Sequence, residues 1–97
     1  PRSAVRQRVT VARERQMVRQ GKANALLSPS EVDQHCLPDA AGAQLLKQAI
    51  ARLSLSARAY HRILRVARSV ADLAGSDTVL ASHIGEAVHY RRGLSDA

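Results

Sequence analysis

Arg58, Arg62 and Arg65 are separated by four and three residues within the stretch SARAYHRILRVARSVADLAG that runs from Ser56 to Gly75. At about 100° per residue, such positions fall close together on one face of a helix. A guanidinium stays charged at physiological pH and presents a planar fork suited to the oxygens of a phosphate or carboxylate. Ser56, two residues before Arg58, is a residue type that accepts hydrogen bonds from the orphaned N–H groups of a first helical turn. A helix start already favours anions, so an arginine there adds charge to a backbone that points the same way. The bland reading is an exposed arginine one turn into a helix, and the residues alone do not exclude it. Arg62 and Arg65 share the face and read as solvated side chains or as contacts to nucleic acid or an adjacent subunit.

The remaining chemistry is sparse. There is no GxxxxGK[ST] phosphate loop, no GxGxxG and no HExxH, and no apolar strand ending in paired acids that could hold magnesium. Ser28 and Ser30 lie near His35, but without a GxSxG elbow. His35 and Cys36 are adjacent rather than spaced as zinc ligands, and His61, His83 and His89 are scattered. The acids, Glu14, Glu31, Asp33, Asp39, Asp72, Asp77, Glu86 and Asp96, are mostly accounted for by caps, helix dipoles and solubility. Arg68 with Asp72, four residues on, reads as a surface ion pair. No catalytic residue and no metal site is expected in the chain by itself. What remains is an arginine-rich module that could contribute charge to a site built mostly elsewhere.

The elements that would carry these residues are helical. Ninety-seven residues make a single domain, with 45% apolar residues and only two aromatics, both tyrosine. A core of Ala, Leu, Val and Ile suits closely approaching helices, and nothing alternates with period two over a useful length. The expected fold is all-α, a compact bundle of four to five helices. Tyr60, Ile63, Leu64, Ala67, Val70, Ala71 and Ala74 form the apolar stripe of the central helix, which Gly75 closes. Ahead of it, residues 1–20 read as a basic helix capped by Ser3, with Val5, Val9, Ala12 and Gln16 along one side, widened by Val11 and Val18. Arg6 and Arg13 on its other side are candidates for contact with nucleic acid or a neighbouring subunit. Leu26 and Leu27 are expected to plug the core from the connector.

Ser28-Pro29-Ser30-Glu31 reads as a capping box with proline at the first helical position, opening a short helix that ends near His35. A helix over residues 38–53 carries Ala43, Leu46, Ala49, Ile50 and Leu53, with Leu45 beside them and Asp39 in its first turn. Its short hinge to the central helix could make a helix-turn-helix that reads DNA. The last helix covers roughly 80–92, with Ile84, Ala87, Val88 and Arg91 in register and Gly93 as its stop; residues 94–97 should fray.

Fifteen Lys and Arg against eight Asp and Glu give a net charge of +7, and thirteen of the fifteen are arginine. Such a balance favours polyanions, nucleic acid or the phosphates of a nucleotide, although a GC-rich genome would produce the same bias. One cysteine, Cys36, excludes an internal disulfide and fits a reducing cytoplasm. No apolar run approaches the roughly 20 residues of a membrane span. With no signal peptide and Pro1 in place of methionine, the chain reads as a domain of a longer protein.

Three segments carry a family resemblance: Arg19-Gln20-Gly21-Lys22-Ala23-Asn24-Ala25, LSLSARAYHRILRVARSVADLAG at 53–75, and HIGEAVHYR at 83–91. Together they resemble the C-terminal domain of magnesium-chelatase-like AAA+ ATPases of the competence-protein group, over essentially the whole chain. The resemblance implies a helical lid that follows an ATPase core and packs over bound nucleotide. It also implies that Ser56-Ala57-Arg58 is similar to the sensor-2 motif, with Arg58 approaching the γ-phosphate of its own subunit's nucleotide or a neighbour's. ATP with magnesium would then be the cofactor of the full-length protein, and none would be bound by this part alone. The implied partners are the AAA+ core of the same chain, neighbouring subunits of a hexameric ring, and DNA remodelled by a helicase-like motor. The family name also admits metal insertion into a tetrapyrrole, which no residue here addresses. From another class, the alternative is a stand-alone basic helical module that binds DNA through helices one and four.

Overall fold

Leu64, Ala67 and Ala71 can be sealed from water together only if the helix bearing them is covered on more than one side. In the computed structural model, which describes the backbone of residues 2–95 and the side chains of residues 3–90, that is the arrangement found. Five α-helices follow one another: α1 Arg2–Gln20, α2 Pro29–His35, α3 Ala40–Leu53, α4 Ala57–Leu73 and α5 Ala81–Ser95. A 3-10 turn at Asn24–Leu26 joins α1 to α2. α4 packs against α1, α2, the 3-10 turn and α5, while α3 packs on α5. Ile63, Leu64, Ala67 and Ala71 of α4 meet Leu27, Val32, Leu46, Val79 and Ile84 in one core. The expected all-α bundle is therefore the observed one. Among the described residues no strand forms. A single backbone bridge pairs Pro38 with Val79, where the Asp39 N–H donates to the Val79 carbonyl at 2.9 Å and ties the start of α3 to the start of α5.

The helix starts follow their cap residues. Ser28 Oγ accepts from the Glu31 N–H at 3.3 Å while Glu31 Oε1 accepts from the Ser28 N–H at 2.9 Å, a complete capping box with Pro29 in the first turn. The Ser28 backbone N–H, and then Lys22 with its ammonium 2.9 Å from Glu31 Oε2, hold the Glu31 carboxyl down at about 2. Ser56 Oγ accepts from the Ala59 N–H at 3.1 Å and starts α4. Gly75 (φ +74°) turns the chain away after α4 in the left-handed conformation that costs glycine little. Ser54 adopts the same region (φ 51°) and makes the sharp corner between α3 and α4.

Several expected details are corrected. α1 already includes Arg2, so Ser3 lies inside the helix and is not its cap. Ala12 and Gln16 are buried, but Val5, Val9, Val11 and Val18 are exposed, Val18 at 90%. The first half of α1 meets the end of α4 around Leu73 and Gly75, and these contacts leave the valines uncovered. Leu27 plugs the core, whereas Leu26 stands 70% exposed because the 3-10 turn points the two leucines apart. Asp39 is the N-cap of α3, accepting from the Gly42 N–H at 2.8 Å, rather than a first-turn residue. Gly42 is buried and Ala43 exposed, because the start of α3 presses on Pro38 and the backbone at Ala81, where a methyl group would not fit. Ala74 is exposed beyond the end of the stripe. α5 continues through Gly93 to Ser95, since glycine permits a helix end without compelling one. The side chain of Arg91 and the last two residues of the expected frayed end, 96 and 97, lie outside the described residues. No helix among the described residues is long and apolar enough to cross a membrane.

Candidate functional site

α4 carries four arginines in eleven residues, and packing divides them. Arg58 and Arg62 are exposed, Arg65 is half-buried and Arg68 is sealed. Arg58, Arg62 and Arg65 line one open groove of about 710 Å³, with Glu86 and Tyr90 of α5 also on its wall and Val66, Val70 and Leu73 further along α4. The spacing expected to gather the three arginines does so. Neither Arg58 nor Arg62 forms an ion pair among the described residues, and Arg65 reaches only the Leu27 carbonyl, at 3.3 Å. Among the described residues, Glu86 on the groove wall is the one carboxylate beside these guanidinium groups. Arg6 and Arg13 lie exposed on α1 and line no part of this groove. Tyr90 and Glu86 are the site residues that sequence reasoning missed. They come from another helix, and no local pattern links position 90 to position 58.

Arg68 and Asp72 were expected to be a surface pair, and the structure corrects this: their side chains are 4% and 0% exposed. The row Leu64–Arg68–Asp72, at four-residue steps, belongs to the buried sector, covered by the C-terminal half of α1 and the 3-10 turn. That row was the available signal. Arg68 Nη2 sits 3.0 Å from Asp72 Oδ1. Arg19 holds the same carboxylate with two parallel bonds, Nη1 to Oδ1 at 2.9 Å and Nη2 to Oδ2 at 3.0 Å, the bidentate geometry that makes such pairs strong. Asn24 Nδ2 donates to Asp72 Oδ2 at 3.0 Å, and Asn24 Oδ1 accepts from Gln20 Nε2 at 2.7 Å and from Arg19 Nη2 at 3.0 Å. The Asn24 backbone N–H donates to Gln16 Oε1 at 2.9 Å. The stretch Arg19–Ala25 therefore has a physical explanation: it builds a polar lock around Asp72.

Burial alone would push the Asp72 carboxyl up, but the bonds from Arg19 and Asn24 and the charges of Arg68 and Arg19 outweigh it and hold it below the ordinary range. Burial pulls the Arg68 guanidinium down from its usual value, against the pull of Asp72. Arg68 also donates Nη1 to the Asp77 carbonyl at 3.0 Å and Nη2 to the Ser76 carbonyl at 2.6 Å, so the same side chain pins the loop after Gly75. Arg15 reinforces that loop with a bond to Asp77 at 3.0 Å.

The other reactive residue types are occupied structurally. Cys36 is fully buried, and burial pushes its thiol up to about 11, far from a nucleophilic thiolate. His83 is buried and its Nδ1 accepts from the Leu80 N–H at 2.9 Å, a cap for α5. His61 Nε2 lies 3.6 Å from Asp33 and links α4 to α2. Ser28 is a cap. Among the described residues no group of three His, Cys, Asp or Glu could hold a metal ion.

Residues 1–91 match the family model described as magnesium chelatase, subunit ChlI C-terminal. Over 87 residues, 90% of this chain, it is 45% identical to the competence protein ComM of Haemophilus influenzae. Over 89 residues, 92% of the chain, it is 45% identical to the uncharacterized protein YifB of Escherichia coli and 40% identical to the protein of that name from Salmonella typhimurium. The chain spans 17% of the length of the first and 18% of each of the other two. No solved structure matches it significantly.

Proposed function

Because this chain belongs to the family of magnesium chelatase subunit ChlI C-terminal domains, we propose that it acts as the helical lid of an AAA+ ATPase, with Arg58 as its sensor of the nucleotide phosphates. The observation that carries the reading is the state of Arg58. It is exposed, it follows directly on a capped helix start, and the helix behind it is locked into the core by the Asp72 network. An arginine on a rigid mount keeps its reach toward a developing phosphate charge, and a fixed charge of that kind stabilises the transition state of phosphoryl transfer.

ATP and magnesium would be held mostly by residues outside this chain. The described residues offer no acid cluster for the metal and no phosphate loop, and they fit only a one-point contribution from Arg58. When bound, the magnesium nucleotide supplies the phosphoryl group. The part of this chain is to place a guanidinium against it and to move as one body when that contact is made or lost. We extend the reading to a ring-shaped, hexameric, helicase-like motor on DNA, working in the cytoplasm; its support is the family, one relative of which is named a competence protein. In that setting Arg62 and Arg65, or Arg6 and Arg13 on α1, would face DNA or an adjacent subunit. A stand-alone DNA-binding module is the second reading, favoured by the exposed arginines of α1. α4 itself suits a groove-reading helix poorly, because three other helices cover it.

The test is substitution in a longer protein that contains both this domain and an ATPase core. Arg58→Ala should lower ATP turnover by orders of magnitude with the circular dichroism unchanged. Undiminished turnover would remove Arg58 from the site. Sequence-selective, nanomolar binding of duplex DNA by the 97-residue chain at physiological salt would favour the second reading instead.

A further inference from the structure

We propose that the groove between α4 and α5 is a docking site for an acidic amphipathic helix of a partner protein, seated on Val66, Val70 and Leu73 and held by Arg62 and Arg65. Arg58 lines the same groove one turn before Arg62, but the docking contacts are assigned to Arg62, Arg65 and the apolar strip and do not rest on whether Arg58 meets a nucleotide. The face of α4 that lines the groove changes character along its length. Arg62 and Arg65 mark its N-terminal part, and Val66, Val70 and Leu73, spaced by four and three residues, mark its C-terminal part. That spacing is the one by which a helix presents a continuous apolar strip to another helix laid along it. Across the groove stands Tyr90 of α5, 58% exposed, an amphipathic ring of the type that anchors interfaces. From Arg62 to Leu73 the strip runs about 17 Å at 1.5 Å per residue, room for about three turns of a partner helix.

Charge decides the occupant. A second copy of these 97 residues, also at +7, would be repelled from the groove. A nucleic acid strand would find its phosphates matched at Arg62 and Arg65, but would then lie on three aliphatic side chains. A helix with leucine-type anchors on one face and acids at one end satisfies both halves: apolar strip on apolar strip, carboxylates on the two guanidinium groups.

Fluorescence anisotropy of the 97-residue chain tests this with three labelled probes. The first is a peptide of about 16 residues, long enough to form a helix on contact, with leucines on one face and glutamates toward one end. The second has the same composition scrambled, and the third is oligothymidylate of matched charge. The amphipathic peptide should bind at least about tenfold more tightly than the scrambled one. Arg62→Glu and Leu73→Ser should each weaken it by about tenfold, while Lys47→Glu, exposed on α3 and away from the groove, leaves it unchanged. Circular dichroism confirms the fold of each variant, and Arg62→Glu, at an exposed position, remains informative if Leu73→Ser unfolds. Equal binding of the two peptides, no effect of Arg62→Glu, or tighter binding of oligothymidylate through the same residues would each overturn the proposal.

Discussion

Arg68 and Arg58 stand ten residues apart on α4, one sealed around a carboxylate and the other open to solvent. Both are the same residue type on the same helix, so the difference comes entirely from what the rest of the chain packs against each. Around Arg68, the C-terminal half of α1 and the turn at Asn24–Leu26 close over the helix and supply a second guanidinium and the Asn24 amide for Asp72, with the Gln20 amide bonded in turn to Asn24. Around Arg58 none of the described residues closes over the side chain, which stays exposed. A buried charge network is a poor source of net stability, because desolvation consumes much of the attraction, but once formed it is costly to leave half-made. It therefore fixes the geometry of α1 on α4 more firmly than an aliphatic contact of equal area could. The exposed arginines contribute little to stability and are left available for another molecule.

Removing Asp72 should break this contrast hardest. Asp72→Ala leaves the buried Arg68 and the half-buried Arg19 beside each other without their shared counter-charge, an expected loss of about 3–5 kcal/mol in urea unfolding. A loss under about 1 kcal/mol would mean that the network is no lock. Asn24→Ala comes next, at about 1–3 kcal/mol, since it strands polar groups of Arg19, Gln20 and Asp72. Acid sharpens the comparison without mutation. Asp72 and Glu31 both have carboxyls lowered by folding, so their contributions are complete above the ordinary carboxylate range and disappear as the pH falls through the folded values. For Glu31 the window lies between the ordinary value of 4.5 and about 2, and thermal melts across that range should show the midpoint falling with pH. Arg62→Ala should have the smallest effect, within about 0.5 kcal/mol, as an exposed side chain with no ion pair among the described residues.

Local signals in the chain made much of this readable. Ser28 with Glu31, Ser56 and Gly75 each act as their residue types and spacing imply, because a cap needs only its own first or last turn. The stripe of α4 was equally legible, down to Ile63, Leu64, Ala67 and Ala71. Failures came where a distant element decides. Val5 and Val9 continue the periodicity of α1, but α4 ends before it can cover them. Arg68 and Asp72 look like any i, i+4 surface pair until Arg19 and Asn24, some fifty residues earlier, are seen to meet them. The arginine groove was half legible: spacing brought Arg58, Arg62 and Arg65 together, whereas Tyr90 and Glu86 arrive only through the packing of α5 on α4.

The division of labour on α4 can be measured in one experiment on a longer protein that joins this domain to its ATPase core: ATP turnover and thermal midpoint side by side for Arg58→Ala and Arg68→Ala. Arg58→Ala should lose turnover by orders of magnitude at an unchanged midpoint, and Arg68→Ala should lower the midpoint itself. A midpoint that falls for Arg58→Ala, or full turnover in its presence, would contradict the assignment of Arg58 to the nucleotide and Arg68 to the fold.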